Sequence, residues 1–361
     1  MHFQPTLVAS LAIALPALAL PTSSSASQAS LQTAVPGESS LFVNYQGKNT
    51  PLAAEYLRAI PATGSGPAGA DDLLFQNLLA AEWAIYSFYQ LGAEMFDASD
   101  FPDPYPNTTY ERLVQIRDNE AGHVRIFQDQ ISNNSVTPGP CQYNYNETIQ
   151  GDPVSYLALQ VFLEVSSMAF LTGLINQASL NISKSALVAI GQVESRHNTW
   201  ALIDAWDVNP FSGPSDTIYP YPNQILDSTN TFIVDGSCPS INPIYPDPRQ
   251  NLPQLSFNKT GTTGTPGSEI QIVFKQADNQ PSFDADTDYY AVFYHGLDTI
   301  SVPFDTSSNT TTIPAEFDKE ASIIIVNIAD EKGAPTQESV VAGPLIILEQ
   351  PGDLTLEINT A

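Results

Sequence analysis

Apolar residues recur at helical spacing from Asp71 onward, in "DDLLFQNLLAAEWAIYSFYQLGAEMF", with two acidic residues in the first turn and no proline. The same periodicity predicts further helices from Tyr110 to Ile131, from Pro153 to Gln177 and from Lys184 to about Trp206, joined by connections rich in proline and asparagine. Four long helices joined in this way predict a bundle over residues 71–207. Between 208 and 254 prolines recur every few positions, which forbids long helices and predicts an extended connecting segment. The pattern changes again in 255–361. There "EIQIVFKQ", "DYYAVFYHG", "ASIIIVNIAD" and "PLIILEQ" are β-branched and aromatic runs separated by Gly, Pro, Asp and Asn, as in an antiparallel sandwich. The expected fold class is multidomain α plus β, a four-helix bundle followed by a C-terminal antiparallel β-sandwich-like domain.

The N-terminus carries a different signal. The apolar run from Leu7 to Leu20, broken by Ser10 and Pro16, is too short to span a bilayer and ends in the small residues Ala17-Leu18-Ala19. Residues 1–19 therefore read as a signal peptide, with a mature chain beginning near Leu20 and an N-terminal extension and linker over 20–70. No later run reads as a membrane helix, so the expectation is a soluble, exported protein, extracellular or in the cell wall. Six Asn-x-Ser/Thr acceptors fit export as N-glycosylation sites, at Asn107, Asn133, Asn146, Asn181, Asn258 and Asn309. Cys141 and Cys238, the only cysteines, suit a disulfide in an oxidising compartment.

Charge removes one class of partner. Thirty-nine acidic against twelve basic residues give a formal net charge of -27, which repels nucleic-acid phosphates and attracts cations.

The candidate chemistry lies on the helices. The chain has four histidines, and two of them follow a glutamate by three positions, in "NEAGHVRI" as Glu120 and His123 and in "VESRHNTW" as Glu194 and His197. Residues i and i+3 of a helix lie about 60° apart around the axis, so each pair converges on one point. The other two helices each carry a single glutamate on a strongly apolar face, Glu82 in "LLAAEWAIY" and Glu164 in "QVFLEVSSMAF". An unpaired carboxylate buried there would cost several kcal/mol, so each is exposed, paired or bound to a cation. Two divalent cations about 3.5–4 Å apart need bridging carboxylates and imidazoles, which this set supplies. The competing arrangement is a set of Glu–His ion pairs without metal, which leaves four acids facing two histidines.

The order Glu, Glu-x-x-His, Glu, Glu-x-x-His, one element per helix, resembles that of the ferritin-like di-iron carboxylate bundles. The resemblance implies that Glu82, Glu120, His123, Glu164, Glu194 and His197 are metal ligands for two divalent ions, iron or manganese. Arg196, Asp118 and Asp204 are candidates to support the site from outside, and Tyr86, one turn beyond Glu82, is a candidate to face it. The whole architecture resembles the secreted fungal ferritin-like proteins of the stress-response and late sexual development families, and over the bundle the plant desiccation-related proteins. Two functions compete on this reading. One is a redox enzyme whose metal pair reacts with O2 or peroxide. The other is a non-catalytic extracellular or cell-wall stress or developmental protein with a structural, iron-sequestering or vestigial site. His295, in "YHG", belongs to the β domain and reads as structural.

Overall fold

A computed structural model describes residues 68–132, 134–211, 218–240, 242, 246, 249–257, 266–317, 323–348 and 356–357, all within the compact unit Pro36–Ala361. The signal peptide expected over 1–19, and the glycan acceptors Asn133 and Asn258, lie outside the described residues.

Four long helices form in the expected order: α1 (Asp72–Met95), α2 (Thr109–Gln130), α4 (Pro153–Gln177) and α5 (Asn181–Trp200), with a short helix α3 (Asn146–Ile149) before α4; α5 starts three residues before the expected Lys184 and its α-helical part ends at Trp200, short of Trp206. Helix α4 starts where local chemistry demands it. Asp152 accepts a hydrogen bond from the Ser155 amide at 2.8 Å, and Pro153 takes a first-turn position that needs no N–H. The two acids expected to favour the start of α1 do more than offset a helix dipole. Asp71 accepts from the amides of Ser179 and Leu180 at 2.8 and 3.0 Å, and Asp72 accepts from the Ser132 amide at 3.1 Å and the Ser132 hydroxyl at 2.5 Å. Burial opposes ionisation of Asp72, but these hydroxyl and amide donors hold its carboxyl below the usual range. One end of α1 is thereby tied both to the end of α2 and to the α4–α5 connection.

By length and composition α4 is apolar enough to cross a membrane, with mean hydropathy 1.6, which corrects the expectation that no run after the N-terminus has this character. Its most apolar window is 78% buried inside the bundle, as expected of a central core helix.

The proline-rich segment folds as more than a strap. Pro222 opens an eight-residue helix, α6 (Pro222–Thr229), which packs on α4. The approach is close at Gly173 of α4, where a Cβ would lie 2.7 Å from the Tyr219 carbonyl oxygen and 2.7 Å from Pro222 Cδ. Backbone and ring cannot move aside cheaply. Gly173→Ala is therefore expected to lower stability by about 1–3 kcal/mol, read as a lower urea midpoint. An unchanged midpoint would show that α6 is not pressed against α4.

Two antiparallel sheets follow. β1 (Leu255–Phe257), β2 (Glu269–Phe274) and β5 (Thr310–Thr312) form one in the order β1-β2-β5. β3 (Tyr289–His295), β4 (Asp298–Phe304), β6 (Ile323–Ala329), β7 (Val340–Leu348) and β8 (Leu356–Glu357) form the other in the order β4-β3-β6-β7-β8. Along β3 the alternation sends Ala291 and Phe293 into the core between the sheets, with Ile270, Ile272, Val326 and Ile328. The intervening Val292 and Tyr294 join the core of the bundle, with Ile325 and Ile346. The five-stranded sheet is thus covered on both faces, which is why its strands read as continuous apolar runs. Asn327 on β6 is fully buried at this junction, where its Nδ2 donates to the Tyr219 hydroxyl at 2.9 Å.

Candidate metal centre

The bundle brings the six predicted side chains to one place in its interior. Glu120, Glu164 and Glu194 are fully buried, and Glu82, His123 and His197 are at most 4% exposed. They fall into two groups of four, Glu82, Glu120, His123 and Glu194 in one, and Glu120, Glu164, Glu194 and His197 in the other, each with its donor atoms within 4.8 Å of one another.

His123 Nδ1 lies 3.0 Å from Glu120 Oε2, 3.3 Å from Glu194 Oε1 and 3.5 Å from Glu82 Oε1. His197 Nδ1 lies 2.9 Å from Glu120 Oε1, 3.5 Å from Glu194 Oε2 and 3.5 Å from Glu164 Oε2. Glu120 and Glu194 therefore place one oxygen in each group, while Glu82 and Glu164 belong to one group apiece. The single glutamate and the Glu-x-x-His pair supplied by α1 and α2 are thus matched by those of α4 and α5, although no sequence repeat at a fixed period marks it.

Beyond the cluster most of these atoms have no hydrogen-bond partner. Glu82 Oε1, Glu120 Oε1, Glu164 Oε2, both oxygens of Glu194 and His197 Nδ1 are buried and meet only one another, as Glu120 Oε1 meets His197 Nδ1 at 2.9 Å. Buried polar atoms are rarely left so, and a cluster of orphaned lone pairs facing one another lacks positive charge. Three carboxylate oxygens and one imidazole nitrogen per group suit a first-row divalent cation. The residues of each group fit a metal ion.

Without metal, protons must supply that charge. Burial raises the Glu82 carboxyl well above its usual range, with the Glu120 charge adding to it, and burial likewise raises Glu164 against the pull of His197. For Glu120 the hydrogen bonds from His123 and His197 overcome burial and hold the carboxyl far below the usual range, and Glu194 is lowered against burial by the same two imidazoles. Burial disfavours both imidazolium ions, yet the surrounding carboxylates push His123 far upward and His197 up to about 12. Imidazoles held toward the charged form and carboxyls held toward the protonated form offset the buried negative charge. Divalent cations would displace protons from these groups. Loading in weak buffer at pH 7 is expected to release them, measured with an indicator dye, and apparent affinity is expected to rise with pH. Loading without proton release would contradict these protonation states.

Other expectations about the surroundings need correction. Arg196 and Asp204 are exposed, and Asp118 is engaged at the surface, 2.6 Å from the guanidinium of buried Arg117. The tyrosine whose hydroxyl donates to the cluster is Tyr89, on Glu164, whereas the Tyr86 hydroxyl is 3.5 Å from Gln90 Oε1. Tyr86 and Tyr89 stand four and seven positions beyond Glu82, so both share its stripe on α1, and spacing alone does not separate them. Asn119 is the other group unforeseen, with its Oδ1 3.2 Å from His197 Nε2 on the side facing away from the cluster. Directly after α5 the chain widens into a π-helical turn, Ala201–Ala205. The expected disulfide is present between Cys141 and Cys238. Of the expected glycan acceptors, Asn107, Asn146 and Asn181 are exposed and Asn309 is half-buried.

Helix arrangement and site together define a ferritin-like bundle with a buried carboxylate–imidazole cluster. Residues 70–203 match the family model of the ferritin-like domain, and the chain contains that domain. No curated protein matches the chain.

Proposed function

We propose that the ferritin-like domain holds a carboxylate-bridged dinuclear centre, iron by preference and manganese as the alternative, which reacts with O2 or peroxide. The observation that carries this reading is the convergence of six buried side chains whose donor atoms lack other partners. Glu120 and Glu194 would hold both ions, Glu82 and Glu164 would hold one each, and His123 and His197 would supply one nitrogen each. When bound, such an ion pair supplies electrons and Lewis acidity to a small oxidant. The chain's own contribution is positioning and exclusion. Tyr89 holds Glu164, Asn119 sets the outer edge of His197, and Phe127, Leu163, Phe170 and Ile190 shield the cluster from bulk water. Those apolar residues surround a cavity of about 20 Å³ that reaches Glu82 and Glu194, room for a molecule of water or O2 size. The disulfide favours an oxidising compartment, in line with a secreted, glycosylated protein acting in stress or development.

Burial of all six side chains favours one second reading, a structural or iron-sequestering centre in an extracellular or cell-wall protein. Anaerobic loading with ferrous iron followed by O2 or hydrogen peroxide separates the two. Rapid growth of near-ultraviolet absorbance is expected from the redox centre, and an unchanged spectrum with iron still bound would leave the sequestering reading.

A further inference from the structure

A second opening lies on the other side of His197. Between α2 and α5 the surface carries a pocket of about 590 Å³, lined by His197 and Asn119 together with Arg112, Gln115, Arg196 and Trp200. It is a wide, open depression large enough to seat a small molecule, whereas the cavity beside Glu82 admits only the smallest molecules. The pocket reaches the imidazole from the edge opposite the cluster, since Nδ1 faces the carboxylates and Nε2 faces Asn119.

Its charge runs against that of the molecule. The chain has a net charge of -27 and only twelve lysines and arginines, yet two arginines line this one pocket. Asp118, also in the lining, is neutralised by Arg117 at 2.6 Å. Arg112 has the exposed Glu111 at 4.0 Å, a separation at which solvent screens most of the attraction, and its Nη1 donates to Gln115 Oε1 at 2.5 Å. Arg196 has no carboxylate within ion-pair distance among the described residues, so its guanidinium is available. Trp200 adds an indole face, and its Nε1 is buried without a hydrogen-bond partner. The π-helical turn that follows Trp200 is a feature that often marks functional sites.

Planar guanidinium forks match carboxylates, and an indole covers an apolar ring. We propose that this pocket binds a small organic carboxylate, with Arg196 and Arg112 holding the anionic end and Trp200 the apolar body, against the outer edge of His197. That the bound anion is a partner of the metal centre rests on the function proposed above; its binding does not.

The test is an NMR saturation-transfer titration of the full chain with benzoate, using benzyl alcohol as the uncharged counterpart. Metal content is measured on the same samples before and after iron or manganese is added, so a preparation that takes up neither and still binds benzoate would overturn the metal reading and leave the pocket standing. Benzoate is expected to saturate, benzyl alcohol to bind about tenfold more weakly, and Arg196→Ala to weaken benzoate by about the same factor, the equivalent of one charge-assisted contact. Arg196→Glu is expected to abolish binding, with metal content and helical circular dichroism unchanged because this side chain is exposed. Equal binding of the two probes, or benzoate affinity unaltered in Arg196→Glu, would overturn the proposal.

Discussion

Replacing Glu120 by alanine is expected to empty both halves of the centre at once. Glu120 puts Oε2 3.0 Å from His123 Nδ1 and Oε1 2.9 Å from His197 Nδ1, so its removal takes a ligand from each group. Outer partners of metal ligands typically cost about 10–100-fold in affinity when removed, and a shared ligand is expected to cost more than about 100-fold for both ions. Glu194→Ala is expected to behave alike, since Glu194 reaches both imidazoles. Glu82→Ala and Glu164→Ala touch one group each and are expected to leave about one ion per chain. Circular dichroism should show the helices retained in all four variants, because the apolar faces of α1, α2, α4 and α5 remain. Loss of both ions from Glu82→Ala, or retention of both by Glu120→Ala, would contradict the division into shared and single ligands.

Removal of the Cys141–Cys238 disulfide is expected to have the largest effect on stability. The bridge spans a sequence separation of 97, and closing a loop of that length restricts the unfolded chain by about 4–5 kcal/mol in the chain-entropy model. Around it the native structure is already pinned, since the Asn144 amide donates to the Phe232 carbonyl at 2.7 Å and the Val234 amide to the Gln142 carbonyl at 2.9 Å. The double variant Cys141→Ser, Cys238→Ser is therefore expected to keep its secondary structure and metal content at 20 °C while its urea midpoint falls sharply. A midpoint unchanged within error would show that the unfolded chain is not limited by this loop.

The convergence of the cluster was legible in the sequence because each candidate ligand is a polar residue set in an apolar helical stripe, and helical geometry turns three-residue spacing into convergence. Helix α4 was legible in full, from Asp152 and Pro153 at its start to Gln177, since local capping fixes where it begins. Helix α5 was not, and it begins at Asn181 instead of Lys184. Ser179 and Leu180, directly before it, are held by Asp71, more than a hundred positions away, and no local rule carries that contact. The same limit explains Tyr89, Asn119 and α6. Each depends on which neighbouring helix lies against it, and periodicity does not encode that. The β strands were recognisable by composition, but their second buried face became understandable only once Val292, Tyr294 and Ile325 were seen in the core of the bundle.

Occupancy of the cluster decides between a metal centre and an ion-pair core, and metal analysis of the full chain purified without chelators measures it directly. The ions should be counted per chain by mass spectrometry in the wild type and in His123→Ala and His197→Ala. About two ions per chain, iron or manganese, falling in each histidine variant while the helices persist, is the result expected from two groups of one imidazole and three carboxylates. A wild-type protein that holds no iron, manganese or zinc and takes none up on addition would contradict it, and would leave the six buried side chains as a proton-balanced ion-pair cluster.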